Sequence, residues 1–356
     1  MGDVRLTGSS HHEGVKKILI LGAALVLTAT TASALTITGV GASFPYPLFT
    51  KIFSEYARTG SDTVNYQSVG SGAGQTQLKS RVVDFAATDV PITAADLPGY
   101  PGTVLTIPDA LGAVVISYNI PGVDSNLKFN GKAIADIYLG KIKLWNDPAL
   151  VKLNPDAKLP ALPITVARRS DGSGTTGVFT DYLSKVSPEW KTKVGSATAV
   201  EWPVGVGARG NDGVAGVVKS TPGAVGYIEL TYALTNKIDF GLIQNRTGAF
   251  VKPTIAGAQS AAANVVIPTS GVISLTNAGG AATYSISTFS YGIFYKEQKY
   301  GNRTLAQAQA LKKMLTYVVT TGQSFSEALS YAPLPTAAQS RARAIIASLT
   351  FDGKSF

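Results

Sequence analysis

Apolar residues along the chain follow two spacings, one typical of strands and one typical of helices. A strand-like run at 35–40 leads into a turn at 41–45, after which apolar pairs recur every four residues as far as about Arg58. That spacing places the apolar side chains on one face of a helix. The same order of strand, Gly/Ser/Thr-rich turn and helix returns at 63–82 and at 164–186. Alternating strands and helices of this length predict an α/β protein with largely parallel sheets.

The three turns are the first candidate for chemistry. The second turn occupies 70–74, with its helix predicted over 75–82, and the third occupies 168–176 and contains two adjacent arginines. The first N–H groups of a helix lack partners inside the helix and carry partial positive charge, so they can hold an anion. An ordinary capped helix has the same sequence appearance. Three such turns, one of them beside an arginine pair, favour an anion site.

The N-terminal segment has the pattern of a secretory signal peptide. Lys16 and Lys17 precede an apolar run at 18–27, and the small residues Ala32, Ser33 and Ala34 follow. We expect cleavage near Ala34-Leu35, which makes 1–34 an N-terminal extension and signal peptide. A retained membrane anchor is the alternative, although the apolar run is short for a membrane span.

Missing residue types exclude several kinds of active site. The chain has no cysteine, and its two histidines, His11 and His12, both precede the predicted cleavage site. Cys/His metal sites, Ser-His-Asp triads, cysteine nucleophiles and a lipoprotein cysteine are therefore excluded from the mature chain. We expect no metal and no cofactor.

The charge balance favours anionic partners. The sequence holds 31 Lys and Arg against 22 Asp and Glu, a formal net charge of +9. Ordinary solubility would also account for this balance. The basic residues form no dense block, so we do not expect nucleic acid to be the partner.

One glycine pattern raises a different possibility. Residues 172–177 fit the dinucleotide motif G-x-G-x-x-G, which predicts a second strand ending in an acidic residue about 20 residues further on. Glu189 has roughly that spacing, but 187–191 has the pattern of a loop or helix. An NAD-dependent enzyme is therefore disfavoured.

A set of motifs in the first two thirds of the chain is more specific. They are GVGASFPYP at 39–47, GSG at 70–72, VDFAATD at 83–89, IYLGKIKLW at 137–145, RRSDGSGT at 168–175, GNDG at 210–213 and PGAVGY at 222–227. In order and spacing, from about Thr38 to Tyr232, the chain resembles the periplasmic phosphate-binding subunit of the bacterial phosphate ABC transporter. It departs from that family at 284–288, where YSIST replaces a Trp-Pro-Ile-Thr-like segment.

The resemblance implies an α/β, two-lobed periplasmic-binding-protein fold of type II. The chain would cross twice between the lobes, with the ligand in the cleft. Lobe I would comprise 35–118 and 288–356, and lobe II 119–287. The implied function is extracytoplasmic binding of inorganic phosphate and its delivery to the membrane permease of an ABC importer. The implied protein is a periplasmic monomer and not an enzyme.

The resemblance also implies a set of site residues. The predicted phosphate ligands are Ser43, Phe44, Ser71, Asp89, Arg169, Ser173, Gly174 and Thr175, with Asp171 orienting Arg169. An arginine can donate two parallel hydrogen bonds to an oxyanion. Asp89 can accept the proton that phosphate carries and sulfate lacks, which would leave sulfate with opposed acceptors. We expect Arg168 to point away from the site.

Two other functions are compatible with these residues. A secreted phosphatase or phosphotransferase could use the same anion cradle, but it would need a general base with an activated nucleophile or paired metals. Asp89 is the one clear candidate for such a group. A binding protein for another oxyanion, such as sulfate, is the second alternative, and Asp89 argues against it.

Overall fold

The computed structural model describes residues 1–3, 34–60, 62–123 and 126–356. Nearly all of the predicted signal peptide lies outside these ranges. The strands within them are β1 Thr36–Gly41, β2 Thr63–Ser68, β3 Phe85–Thr88, β4 Val104–Tyr118, β5 Lys128–Phe129, β6 Thr165–Arg169, β7 Val206–Ala208, β8 Ala224–Glu229, β9 Asp239–Phe240, β10 Leu242–Gln244, β11 Phe250–Val251, β12 Ser287–Tyr295, β13 Thr350–Phe351 and β14 Lys354–Ser355. The α-helices are α1 Tyr46–Arg58, α2 Ser71–Lys79, α3 Gly131–Tyr138, α4 Pro148–Leu153, α5 Gly174–Val186, α6 Pro188–Lys193, α7 Gly210–Ser220, α8 Leu230–Asn236, α9 Ile255–Ala263, α10 Leu305–Val319 and α11 Thr336–Ala347.

The main sheet consists of two halves that share one long strand. In the first half the order is β2-β1-β3-β12-β4, with β1 parallel to both β2 and β3. In the second half the order is β4-β8-β6-β7, with β6 parallel to β7 and β8. The parallel pairs include β1, β2 and β6, the three strands that the repeated strand–turn–helix pattern predicts.

The chain passes between the halves along β4 and returns just before β12. Strand β4 pairs with β12 from Val104 to Ala113 and with β8 from Val114 to Tyr118. On the return, Tyr284 is fully buried and its hydroxyl donates to the carbonyl of Val114 at 2.9 Å. This two-lobed α/β architecture with two crossings confirms the predicted fold class.

Helix α2 begins earlier than the sequence predicts. The prediction placed the helix at 75–82 because its glycines resembled a turn, but it starts at Ser71 and ends at Lys79. A Cβ on Gly74 would lie 2.7 Å from the Cα of Gly41 in β1. Gly74 therefore serves the close packing of helix α2 on strand β1, which outweighs its low helix propensity.

The third turn is also shorter than predicted. Strand β6 continues through Arg169 and helix α5 begins at Gly174, so the turn shrinks from 168–176 to 170–173. Glu189 lies in helix α6 and ends no strand. The second strand that a dinucleotide-binding unit requires is therefore not present at that position.

The segment 253–295 carries no charged residue, and its last part is interior. It includes α9 and ends in β12, and all nine residues of β12 are buried between β3 and β4. A charge on this strand would lose its hydration without a partner. Among the described residues, no helix combines the length and apolar character needed to cross a membrane.

Candidate functional site

The candidate site lies where the parallel strands of both halves end. Strands β1, β2 and β3 lead into it from one half, and β6 and β7 lead into it from the other. The carboxyl ends of parallel strands are where open α/β sheets usually place a ligand, since helix N-termini follow them. A backbone hydrogen bond from Gly72 to the carbonyl of Gly172, 2.9 Å long, joins the two sides directly.

The guanidinium group of Arg169 is buried and held by a carboxylate. Arg169 is 3% exposed, and its Nε donates to Oδ1 of Asp171 at 2.7 Å while its Nη2 donates to Oδ2. Burial raises the pKa of Asp171, but the hydrogen bonds and charge of Arg169, together with the backbone N–H of Gly210, outweigh burial and the net pKa is lowered. The paired carboxylate fixes the plane of the guanidinium and leaves Nη1 directed across the site.

Ser43 receives that third guanidinium nitrogen. Its Oγ accepts from Nη1 of Arg169 at 3.3 Å and from the backbone N–H and Nδ2 of Asn211 at 3.1 Å and 2.9 Å. The neighbouring turn is clamped through its carbonyls, since Tyr232 donates to Ser43 at 2.7 Å and Tyr331 donates to Phe44 at 2.6 Å. The turn after β1 is therefore fixed from both halves.

Asp89 faces the N-terminus of α5. Its Oδ2 accepts from Oγ1 of Thr175 at 3.3 Å, and its backbone N–H donates to Oγ of Ser71 at 3.4 Å. A Cβ on Gly174 would lie 2.5 Å from Oγ of Ser71 and 2.6 Å from Oδ2 of Asp89, so only glycine fits there. Ser173 caps this helix, since its Oγ accepts from the N–H of Thr176 at 3.1 Å.

Burial governs the protonation of Asp89. Desolvation raises the pKa of Asp89 to about 7, although Arg169 and nearby hydroxyls oppose the shift. The carboxyl group is therefore poised to hold or release a proton near neutral pH.

The structure brings all of the predicted site residues together. The predicted phosphate ligands other than Gly174 are almost completely buried: Ser43 1%, Phe44 0%, Ser71 0%, Asp89 3%, Arg169 3%, Ser173 0% and Thr175 0% exposed. Arg168 is half-buried and donates to the carbonyl of Arg169 at 3.3 Å, away from this group.

Asn211 is a further site residue that the sequence did not predict. Its Nδ2 lies within hydrogen-bonding distance of both Ser43, at 2.9 Å, and Thr175, at 3.1 Å, and its Oδ1 accepts from the N–H of Glu229 at 3.0 Å. The GNDG motif at 210–213, directly after a short strand, was the available signal. The hydroxyl of Tyr227 accepts from the N–H of Arg169 at 3.1 Å. Apart from the PGAVGY motif at 222–227, nothing in the sequence indicated this contact.

The residues of this site suit an anion and do not suit a metal. Its carboxylates are separated by hydroxyl, amide and guanidinium donors. Within the described ranges, no group of three or more Asp, Glu, His or Cys side chains is arranged to hold a metal ion.

Comparison with known proteins places the chain in a family. Residues 27–321 match the model of the PBP superfamily domain. The phosphate-binding protein PstS of Pasteurella multocida is 40% identical over 324 residues, covering 90% of this chain and 92% of that protein. The chain belongs to the PstS family of the PBP superfamily. The resemblance that the motifs predict is thereby confirmed.

A second PstS relative supports the family, and a solved structure supports the fold. The phosphate-binding protein PstS of Xylella fastidiosa strain 9a5c is 39% identical over 311 residues, covering 86% of this chain and 84% of that protein. A solved high affinity periplasmic phosphate-binding protein, PfluDING, bound with phosphate at pH 8.5, superposes with a TM-score of 0.69 at 19% identity. The superposition covers 87% of this chain and 93% of that chain, and at this identity it supports the fold alone.

Proposed function

We propose that this chain binds inorganic phosphate outside the cytoplasm and delivers it to the permease of an ABC importer. The observation that carries the proposal is the buried Arg169, held by Asp171 and directed at the hydroxyl of Ser43 across the site. Such a guanidinium suits an oxyanion, because it offers oriented donors and a full positive charge away from water. The PstS relatives are named for phosphate binding, which supports the same ligand.

Phosphate would enter between groups that bond each other in this structure. The direct contacts from Arg169 to Ser43 and from Thr175 to Asp89 are both 3.3 Å long, which is loose for hydrogen bonds of these kinds. A phosphate oxygen would replace each of them with two shorter bonds. Backbone N–H groups of Phe44 and Gly174 and the hydroxyl groups of the site would donate to the remaining oxygens.

The proposed ligands are those of the sequence prediction, with one addition. They are Ser43, Phe44, Ser71, Asp89, Arg169, Ser173, Gly174 and Thr175, with Asp171 orienting Arg169 and Asn211 linking Ser43 to Thr175. Asp89 provides selectivity. As an ionised acceptor it bonds the proton of phosphate, whereas sulfate would set its own acceptors against the carboxylate.

The two sides of the site belong to different lobes, so ligand binding would close the molecule. We place lobe I at 35–118 and 288–356 and lobe II at 119–287. Phosphate contacts both lobes only in the closed form, and it therefore shifts the population toward that form.

The proposed location is the periplasm, and the proposed partner is a membrane permease. The solved phosphate-binding protein with the same fold is described as periplasmic, which supports a periplasmic location after cleavage near Ala34-Leu35. We propose a monomer that meets a membrane permease and catalyses no reaction. A hydrolase would require an activated nucleophile beside the anion, whereas the PstS relatives are named for binding phosphate.

Calorimetric titration of the mature chain with phosphate and with sulfate, beside a phosphatase assay, tests this function. We expect saturable binding of phosphate, much weaker binding of sulfate and no release of phosphate from an aryl phosphate ester. Equal affinity for both anions would overturn phosphate selectivity, and turnover of the ester would overturn the binding-only function.

A further inference from the structure

A second buried carboxylate, Asp109, lies close behind Asp89 and belongs to none of the family motifs above. Ser290 of β12 is opposite Ala110 of β4, whereas Tyr291 is opposite Pro108, so Asp109 is the extra residue of a β-bulge. Asp109 is 2% exposed. Neither of its oxygens has a hydrogen-bond partner of regular geometry among the described residues. A buried ionised carboxylate in that position would be strongly unfavourable.

The strand register places Asp109 in one row with Asp89. Strand β12 lies between β3 and β4, and its Tyr291 pairs with Thr88. The preceding residue, Ser290, is therefore opposite Asp89 on one side and the bulge at Asp109 on the other. The hydroxyl of Ser290 is fully buried, and it too has no partner of regular geometry within the described ranges.

The two oxygens of Asp89 face different surroundings. Oδ2 is directed at Thr175 and the N-terminus of α5, where the anion would lie. Oδ1 is buried and has no regular partner in the described structure. Three groups that need hydrogen bonds thus meet behind the site: Oδ1 of Asp89, the hydroxyl of Ser290 and the carboxyl of Asp109.

Among the described residues that face the pair, the other titratable groups are neutral at neutral pH, apart from one arginine. Tyr66 and Tyr291 face the carboxyl groups, but their hydroxyls donate to the carbonyls of Ala42 and Ile273, both at 2.8 Å. Burial raises the pKa of each tyrosine further. Arg169 is the cation, and it faces Asp89.

Electrostatics assigns the proton within the pair. Burial, followed by repulsion from Asp89, raises the pKa of Asp109 well above its ordinary value. Arg169 opposes the same shift only at Asp89. Two close carboxyl groups of this kind share one proton, which then resides mainly on the group farther from the cation.

We propose that Asp109 is a positioning residue that keeps a proton and, together with Ser290, donates hydrogen bonds toward Oδ1 of Asp89. This inference rests on the proposed phosphate function. The donated bonds favour the ionised form of Asp89, in which its Oδ2 acts only as an acceptor toward the ligand. Without them, Asp89 itself takes the proton, becomes a donor and no longer rejects a fully deprotonated anion such as sulfate.

Substitutions at Asp109 test the proposal through selectivity and pH. Asp109→Leu removes the donor while keeping the branching and the number of side-chain heavy atoms, whereas Asp109→Asn retains an N–H₂ donor without an ionisable proton. We expect the ratio of phosphate to sulfate affinity at pH 7 to fall on the order of tenfold in Asp109→Leu. We expect Asp109→Asn to retain it, and Ser290→Ala to lower it by a smaller factor.

The pH profile separates this role from a purely structural one. Sulfate is no longer rejected once Asp89 is protonated. In Asp109→Leu, Asp89 should take its proton at a higher pH than in the wild type, so the profile of sulfate affinity shifts toward higher pH. An unchanged ratio and profile in Asp109→Leu would overturn the proposal. So would an Asp109→Asn variant as defective as Asp109→Leu, because it retains the donor.

Infrared spectroscopy of the phosphate-free protein tests the proton on Asp109 independently of ligand binding. At pH 7 we expect the carbonyl band of a protonated carboxylic acid that Asp109→Asn removes, with Glu229→Gln supplying the reference spectrum for another buried carboxyl group. The absence of a band assigned to Asp109 would overturn the proposal even if Asp109→Leu failed to fold. If the wild type failed to bind phosphate but showed the band, the proposed function would be wrong and the proton assignment would still hold.

Discussion

Truncating Arg169 removes the positive charge on which phosphate binding is proposed to depend. Its guanidinium is 3% exposed and makes two bonds with Asp171 and one with Ser43. Removing one partner of a buried, hydrogen-bonded charge pair costs about 2–5 kcal/mol, and each 1.4 kcal/mol is a factor of ten. We therefore expect Arg169→Ala to weaken phosphate binding by roughly 30-fold to several thousandfold. The upper part of that range applies because Asp171 would then present an unpaired charge toward the anion.

Calorimetric titration of Arg169→Ala and Arg168→Ala forms a matched comparison. Arg168 is half-buried and contacts only the carbonyl of the next residue among the bonds described, so its truncation should change phosphate affinity by no more than about twofold. Arg169→Lys keeps the charge but loses the oriented donors, and it should bind with intermediate affinity. Thermal unfolding without phosphate shows whether each variant is folded. If Arg168→Ala lost more phosphate affinity than Arg169→Ala, the placement of the Arg169 guanidinium in the site would be refuted.

Three further predictions concern selectivity, pH and closure. Asp89→Asn replaces a repelling charge with a donor, so we expect a modest change in phosphate affinity and a clear rise in sulfate affinity by competition titration; continued exclusion of sulfate would show that another group discriminates. Burial raises the pKa of Glu229 to about 8, so the folded protein keeps a proton that the unfolded chain loses above about 4.5. The stability that this proton contributes therefore declines as pH rises between those two values. Glu229→Gln should therefore gain stability relative to wild type from pH 5 to pH 8, by on the order of 1 kcal/mol per pH unit at most in urea unfolding, and a constant difference would contradict the shift. Small-angle scattering should show a smaller radius of gyration with phosphate than without it, whereas identical profiles would count against closure of the lobes.

The strands and helices could be predicted from the sequence wherever one face is apolar. Strand β1 and helix α1 agree with prediction to within a residue or two, because the apolar spacing there follows the core directly. The start of α2 could not be predicted, since Gly72 and Gly74 have the composition of a turn and their role depends on how closely Gly172 approaches Gly72 and Gly41 of β1 approaches Gly74. That approach is a property of the packed structure and leaves no signal in a single segment.

Within the candidate site, contacts between residues close in sequence could be predicted, and contacts between distant residues could not. Arg169 and Asp171 are two residues apart at the end of a strand, so their pairing follows from local sequence. Asn211 joins the site through contacts with residues 168 and 36 positions away, and Asp109 joins it through a bulge that depends on the register of β12. Interactions that depend on strand order and register cannot be predicted before the sheet is known.

The crystal structure of the phosphate complex tests the central claim most directly. We predict one phosphate between Arg169 and Ser43 on one side and Thr175 and Asp89 on the other. The present 3.3 Å contacts of Arg169 with Ser43 and of Thr175 with Asp89 should be replaced by shorter bonds to its oxygens. A phosphate bound elsewhere, with both direct contacts intact, would contradict the account.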